Sequence, residues 1–118
     1  MEKDTKEINP IILTDVESGE KFTLEFTADS VKYAQFKGFN IDDIEKTPMI
    51  TIPLLFEYAF RANHKNVTKT KIDRLWNDLG GMPSGMLERL TELYYKPYNC
   101  LINTDEDKSK NAKVTVEF

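Results

Sequence analysis

The feature that most constrains this chain is its only long apolar block, Thr47–Asn63 (TPMITIPLLFEYAFRAN). Read at helical period, Leu55, Ala59 and Ala62 form one stripe, and Ile52, Phe56 and Phe60 form the next. Leu54 and Tyr58 extend the apolar surface around most of the circumference, leaving Glu57, Arg61 and Asn63 as a wet edge. Such a helix is expected at the centre of a domain, covered by others. The block is too short and too often interrupted to span a bilayer. Its start turns on two prolines. Thr47-Pro48 suits a cap and first helical residue, but that start puts Pro53 in the second turn and removes a hydrogen bond. A start near Thr51 avoids this loss, with Met49–Ile52 as an extended lead-in and an end near Asn63–His64.

The rest of the chain must cover that helix. At 118 residues, one domain burying roughly 65% of its extended surface is expected. The formal net charge is −4 and the pI about 5.0. An acidic chain is repelled by phosphate backbones and anionic lipid, so neither nucleic acid nor membrane is expected as a partner. Cys100 is the only cysteine, which excludes an internal disulfide and suits a reducing compartment. The charged opening MEKDTKE does not read as a signal peptide.

The patterning predicts a mainly helical α+β fold: an N-terminal β-hairpin packed on about four helices, with a flexible C-terminal tail. Residues 1–7 read as disordered, 8–102 as the domain, and 103–118 as a polar tail. Ile8–Thr14 is β-rich, Asp15–Glu20 a turn, and Lys21–Phe26 alternates with Phe22, Leu24 and Phe26 on one face. A lone hairpin is marginal in water, so its apolar face belongs on the helices. Thr27 or Asp29 caps a helix to about Lys37, ended by Gly38, and Asn40–Glu45 reads as a short turn capped by Asn40. Ile72, Leu75, Trp76 and Leu79 recur at i, i+3, i+4 and i+7, in a helix expected over Lys71–Leu79 behind a Thr70/Asp73 box and stopped by Gly80-Gly81. Ser84 caps the last helix, which buries Met86, Leu87, Leu90, Leu93 and Tyr94 and ends before Pro97, with Tyr98–Ile102 as an apolar exit. Asn103–Lys113 is polar and aperiodic and reads as disordered. Val114–Phe118 (VTVEF) alternates, as a strand added to the hairpin or to another molecule would.

No constellation spells out catalysis. His64 stands alone at the end of the central block, where an imidazolium complements the helix dipole. Cys100 reads as a packed thiol. The acids Asp42, Asp43 and Glu45 lack calcium-loop spacing, and the glycine-rich Gly80–Gly85 lacks a phosphate-loop lysine. No catalytic, cofactor-binding or metal-ligating residue is therefore assigned, and the chain reads as a non-enzyme. Arg61, Lys65, Lys69, Lys71 and Arg74 form the one local basic patch, a solvated rim or a docking surface for an acidic protein face. Trp76 beside it and the Tyr94, Tyr95 and Tyr98 cluster are the other candidate contact residues.

Several segments in order carry a resemblance. These are Phe22-Thr23-Leu24-Glu25-Phe26, Ser30-Val31-Lys32, Gly38-Phe39-Asn40-Ile41-Asp42-Asp43-Ile44, Pro53-Leu54-Leu55-Phe56-Glu57-Tyr58-Ala59-Phe60, Leu79-Gly80-Gly81 and Leu90-Thr91-Glu92-Leu93-Tyr94. Over about residues 8–102 the chain resembles the small tail assembly chaperones of long-tailed bacteriophages and prophages of Gram-positive hosts. The resemblance implies a non-enzymatic protein that binds the tape measure protein and keeps its apolar helices soluble. It also implies recruitment of the tail tube protein, self-association, action in the host bacterial cytoplasm, and absence from the mature virion. Many such chaperones are also made in a longer, frameshifted form. The alternating Val114–Phe118 segment departs from the family's pattern. The alternative reading is a small phage-encoded adaptor or an inhibitor of a host factor.

Overall fold

The two alternating segments pair as an antiparallel ribbon, β1 (Ile11–Thr14) against β2 (Lys21–Leu24), in continuous register from Ile11↔Leu24 to Thr14↔Lys21. The computed structural model describes residues 7–101 and 113–118. The expected disorder of residues 1–6 and of Asn103–Ala112 lies outside the described residues. Four helices follow the ribbon: α1 (Ala28–Phe36), α2 (Pro48–Tyr58), α3 (Lys69–Leu79) and α4 (Ser84–Tyr95). Short 3-10 turns at Ile41–Ile44 and Lys96–Cys100 complete an α+β fold that is mainly helical.

Local chemistry accounts for most boundaries. The Thr27 side chain accepts from the Ser30 N–H, and Ser30 Oγ accepts from the Thr27 N–H, a reciprocal box that opens α1. Asn40 Oδ1 accepts from the Asp42 N–H to start the first 3-10 turn. α3 begins two residues before the expected start because Thr68 caps it, accepting from the Lys71 N–H. It ends on Gly80, whose φ of 78° is open to a residue without Cβ. α4 takes Ser84 as its first residue, after Pro83, without a side-chain cap.

The central helix departs from expectation at both ends. It starts at Pro48, so Met49–Ile52 are helical and Pro53 lies inside it. Thr47 and Thr51 tie this start to the preceding turn: the Thr47 N–H donates to the Asp43 carbonyl at 2.8 Å, and the two hydroxyls meet at 3.0 Å. The N–H missing at Pro53 would have met the Met49 carbonyl. Met49 is exposed, which leaves that carbonyl on the solvent side. Regular helix stops at Tyr58, and Ala59–Asn63 continue as turns. Nor is α2 covered all round. Leu55, Phe56, Ala59 and Phe60 are buried, but Met49 and Ile50 are 88% and 63% exposed.

Those four residues form one core with Phe22, Leu24 and Phe26 from the ribbon and Leu90, Leu93 and Tyr94 from α4. Edge-to-face contacts run through it, from Phe22 to Phe60 to Phe56 to Trp76 at centroid distances of 5.5, 5.2 and 5.2 Å. The exit is less packed than expected. No residue of Lys96–Cys100 is buried, and Cys100 is exposed at the end of this 3-10 turn. Among the described residues the sheet has two strands, and Val114–Phe118 pairs with neither.

His64 joins the turn after α2 to the ribbon. Its Nε2 accepts from the Thr23 N–H at 2.9 Å, and its ring meets Phe22 edge-on at 5.2 Å. Because α2 ends at Tyr58, His64 lies beyond its last turn, and the imidazole serves as a strut to the ribbon instead of complementing a helix dipole. Replacing His64 by Phe keeps the ring contact and strands the Thr23 N–H. The expected cost is about 1–2 kcal/mol of unfolding free energy, read from urea denaturation.

Candidate interaction surface

The basic patch is largely spent within the fold. Asp15, at the end of β1, is buried, its side chain 5% exposed. Lys71 Nζ and Arg74 Nη2 reach its Oδ2, Lys71 at 2.9 Å and Arg74 at 2.6 Å. Ser18 Oγ donates to the same oxygen at 3.0 Å. Lys71, then Arg74, hold the Asp15 carboxyl well below its ordinary value of 3.8, Ser18 assisting against the opposing effect of burial. In return Asp15 raises the pKa of both cations. Lys69 bridges Asp73 at 3.0 Å and Glu57 at 3.6 Å. The Arg61 guanidinium lies 3.8 Å from the Tyr33 ring centroid. Lys65 is exposed and, among the described residues, has no ion pair. The five cations therefore do not present one free face to a partner.

The tyrosines divide. Tyr94 is fully buried between Phe26 and Phe39, so this expected contact residue belongs to the core. Burial pushes its hydroxyl up to about 12. Tyr95 and Tyr98 stack edge-on at 5.2 Å and are partly exposed. Gln35 Nε2 donates to both the Tyr94 and the Tyr98 hydroxyls, at 3.2 and 2.8 Å, and the Tyr95 hydroxyl donates to Asp42 at 3.2 Å. Burial, with Asp42 next, raises Tyr95. Their polar ends thus pin the chain after α4 to α1 and to the first 3-10 turn.

Trp76 occupies a place that sequence reasoning located only in part. It is half-buried on Phe56 and also lines a groove between α2 and α3, about 230 Å³ in volume, with Ile50, Pro53, Leu54 and Ile72 as apolar walls. Glu57, Lys69 and Asp73 form a charged rim. Met49 and Ile50 stand uncovered at the front of α2. These two were hidden in the sequence by the assumption of an extended lead-in; the all-round apolar pattern of the block was the signal that could have exposed them. Among the described residues no group of three or more His, Cys, Asp or Glu side chains could hold a metal ion, and no helix is long and apolar enough to cross a membrane.

A scan against known families matches the chain over residues 1–118 to the family described as Domain of unknown function (DUF5055), and the chain belongs to that family. No curated protein and no solved structure matches it.

The Asp15 cluster sets a pH dependence of known sign. A carboxyl whose folded pKa lies below 3.8 stabilises the fold at neutral pH and loses that contribution as the pH falls through 3.8 and below. Asp15→Asn should lower Tm at pH 7, and the gap to the parent protein should close in acid. Thermal melts of both proteins across that range check it.

Proposed function

We propose that this member of the DUF5055 family is a non-enzymatic tail assembly chaperone of a bacteriophage or prophage. It binds the tape measure protein, aids assembly of the tail tube protein in the host bacterial cytoplasm, and leaves before the virion is complete. The observation that carries the reading is the uncovered apolar surface along α2 and α3. Ile50 lines the groove with Leu54 and Trp76, Met49 stands free one position before it, and the rim is charged.

A groove between two helices takes the apolar stripe of a third, with anchors at i, i+3 or i+4 and i+7. A long, greasy, helical client supplies that stripe repeatedly. Holding it by burial alone requires no bond to be made or broken. The net charge of −4 keeps the loaded complex apart from its neighbours. The segments that resemble tail chaperones, Pro53–Phe60 among them, include walls of this same groove.

The test is co-expression with a helical tape measure segment that is insoluble alone. The parent protein should hold the segment in the soluble fraction; failure to do so removes the chaperone reading. Replacing Met49 and Ile50 together by Glu should reduce the soluble client about tenfold, equivalent to 1.4 kcal/mol of binding. Because both side chains are exposed, the stability of the chaperone itself should change by no more than about 0.5 kcal/mol per site. Undiminished solubilisation by the double variant would move the client off this groove.

A further inference from the structure

The two edges of the hairpin are not alike. On the β2 side, Thr23 donates its N–H to His64 Nε2 at 2.9 Å, and its carbonyl accepts from Asn63 Nδ2 at 3.2 Å. Two residues on, the Glu25 N–H donates to the Ala59 carbonyl at 3.2 Å. The end of α2 and the turn after it therefore occupy this edge.

The same bonds fix the parity of the ladder. Because both Thr23 groups point away from β1, Ile12↔Thr23 is a non-hydrogen-bonded pair, and the Ile12 N–H and carbonyl point away from β2. The Asp15 N–H donates to the Glu20 carbonyl at 2.8 Å, which places the hydrogen-bonded pairs at odd β1 positions and turns the Thr14 groups outward as well. Among the described residues, no turn, loop or side chain supplies a partner to these outward groups of Ile12 and Thr14.

Nor is the β1 edge defended. Ile11–Thr14 carries no charge and no bulge interrupts its register; Pro10 protects only its beginning. A cleft of about 500 Å³ borders β1 and its turn but touches no residue of β2. Leu13, Leu75 and Leu79 give this cleft apolar walls.

The chain also contains a segment with the complementary pattern. Val114, Val116 and Phe118 are 81%, 78% and 112% exposed, with Thr115 and Glu117 between them. In an extended strand the three apolar side chains fall on one face. Laid along β1, that face would continue the apolar side of the ribbon over the cleft, and its backbone would pair with the outward Ile12 and Thr14 groups.

We infer that Val114–Phe118 of one copy adds as a third strand to the open β1 edge of a second copy. In the single chain the segment is exposed and unpaired. The intervening residues 102–112 can extend over roughly 36–40 Å, enough to leave one fold and reach a neighbour. Reciprocal exchange gives a two-fold dimer in which both β1 edges are closed. This inference is independent of the client groove, which lies between α2 and α3.

Sedimentation of the full chain over a wide concentration range tests it. The parent protein should pass from one chain mass to two as concentration rises. Val116→Pro, which removes a strand N–H and an apolar anchor, should weaken association at least about tenfold, and deletion of Val114–Phe118 should abolish it. Because the segment packs on nothing in the monomer, both variants should keep the parent circular dichroism. Placement is read by mixing chains carrying Ile12→Cys with chains carrying Thr115→Cys, both in a Cys100→Ser background. Oxidation should link the two kinds of chain. A monomer at every concentration, a dimer that survives the deletion, or a failure to cross-link would each overturn the inference. So would a chain carrying both new cysteines that closes on itself at every dilution.

Discussion

The ribbon of β1 and β2 buries one face and is too small to be stable alone, and the rest of the molecule is arranged to hold it. Three attachments do so at different places. Phe22, Leu24 and Phe26 enter the common core. Asp15 clamps the β1 end to α3 through Lys71 and Arg74. His64 and Asn63 close the β2 edge from the turn after α2. The first attachment is non-directional, the second orients the turn end, and the third fixes the backbone edge. Together they determine which edge is left open.

Those long-range attachments mark the limit of what was legible in the sequence. Local signals carried far: the alternation of Phe22, Leu24 and Phe26, the Ile72–Leu79 stripe, and the glycines that end α1 and α3. Each depends on residues within one or two turns of one another. The Asp15 cluster joins residues more than fifty positions apart, and nothing in the composition of Arg61–Arg74 says that Lys71 and Arg74 turn to a buried carboxylate of the same fold. A run of like charge looks the same whether it meets water, a partner or a carboxylate of its own fold. The candidate site was harder to read for that reason. Tyr94 lies on the Leu87–Leu90 stripe and fills the core as that spacing predicts, so grouping it with the exposed Tyr95 and Tyr98 as a contact residue set two readings against each other, while Cys100, read as packed, is exposed.

Electrostatics follow the same division. The chain is acidic overall, and the principal clustered cations sit opposite acids of the fold. Asp15 is the buried member, so its bonds are little screened by salt, whereas the Lys69–Asp73 and Arg74–Asp78 pairs are exposed and worth little singly. Internal pairing of the positive charge leaves apolar contact, rather than charge attraction, as the stronger basis for recognising another chain.

The start of α2 ties the fold to that conclusion. A helix apolar around its whole circumference has two outcomes: neighbours cover every side, or part of its apolar surface remains outside. Pro53 made the first turn look non-helical, which would have removed Met49 and Ile50 from the helix and let covering elements account for the remainder. Instead Thr47 and Thr51 anchor that turn to Asp43, and Pro53 is accommodated where its missing bond falls on the solvent side. The helix then extends past the core that covers its second half. The first half leaves Met49 and Ile50 exposed to water, Ile50 in the same groove as Trp76. The helix backbone that carries these side chains is already ordered, so a partner that covers them gains burial with only their rotamers left to fix.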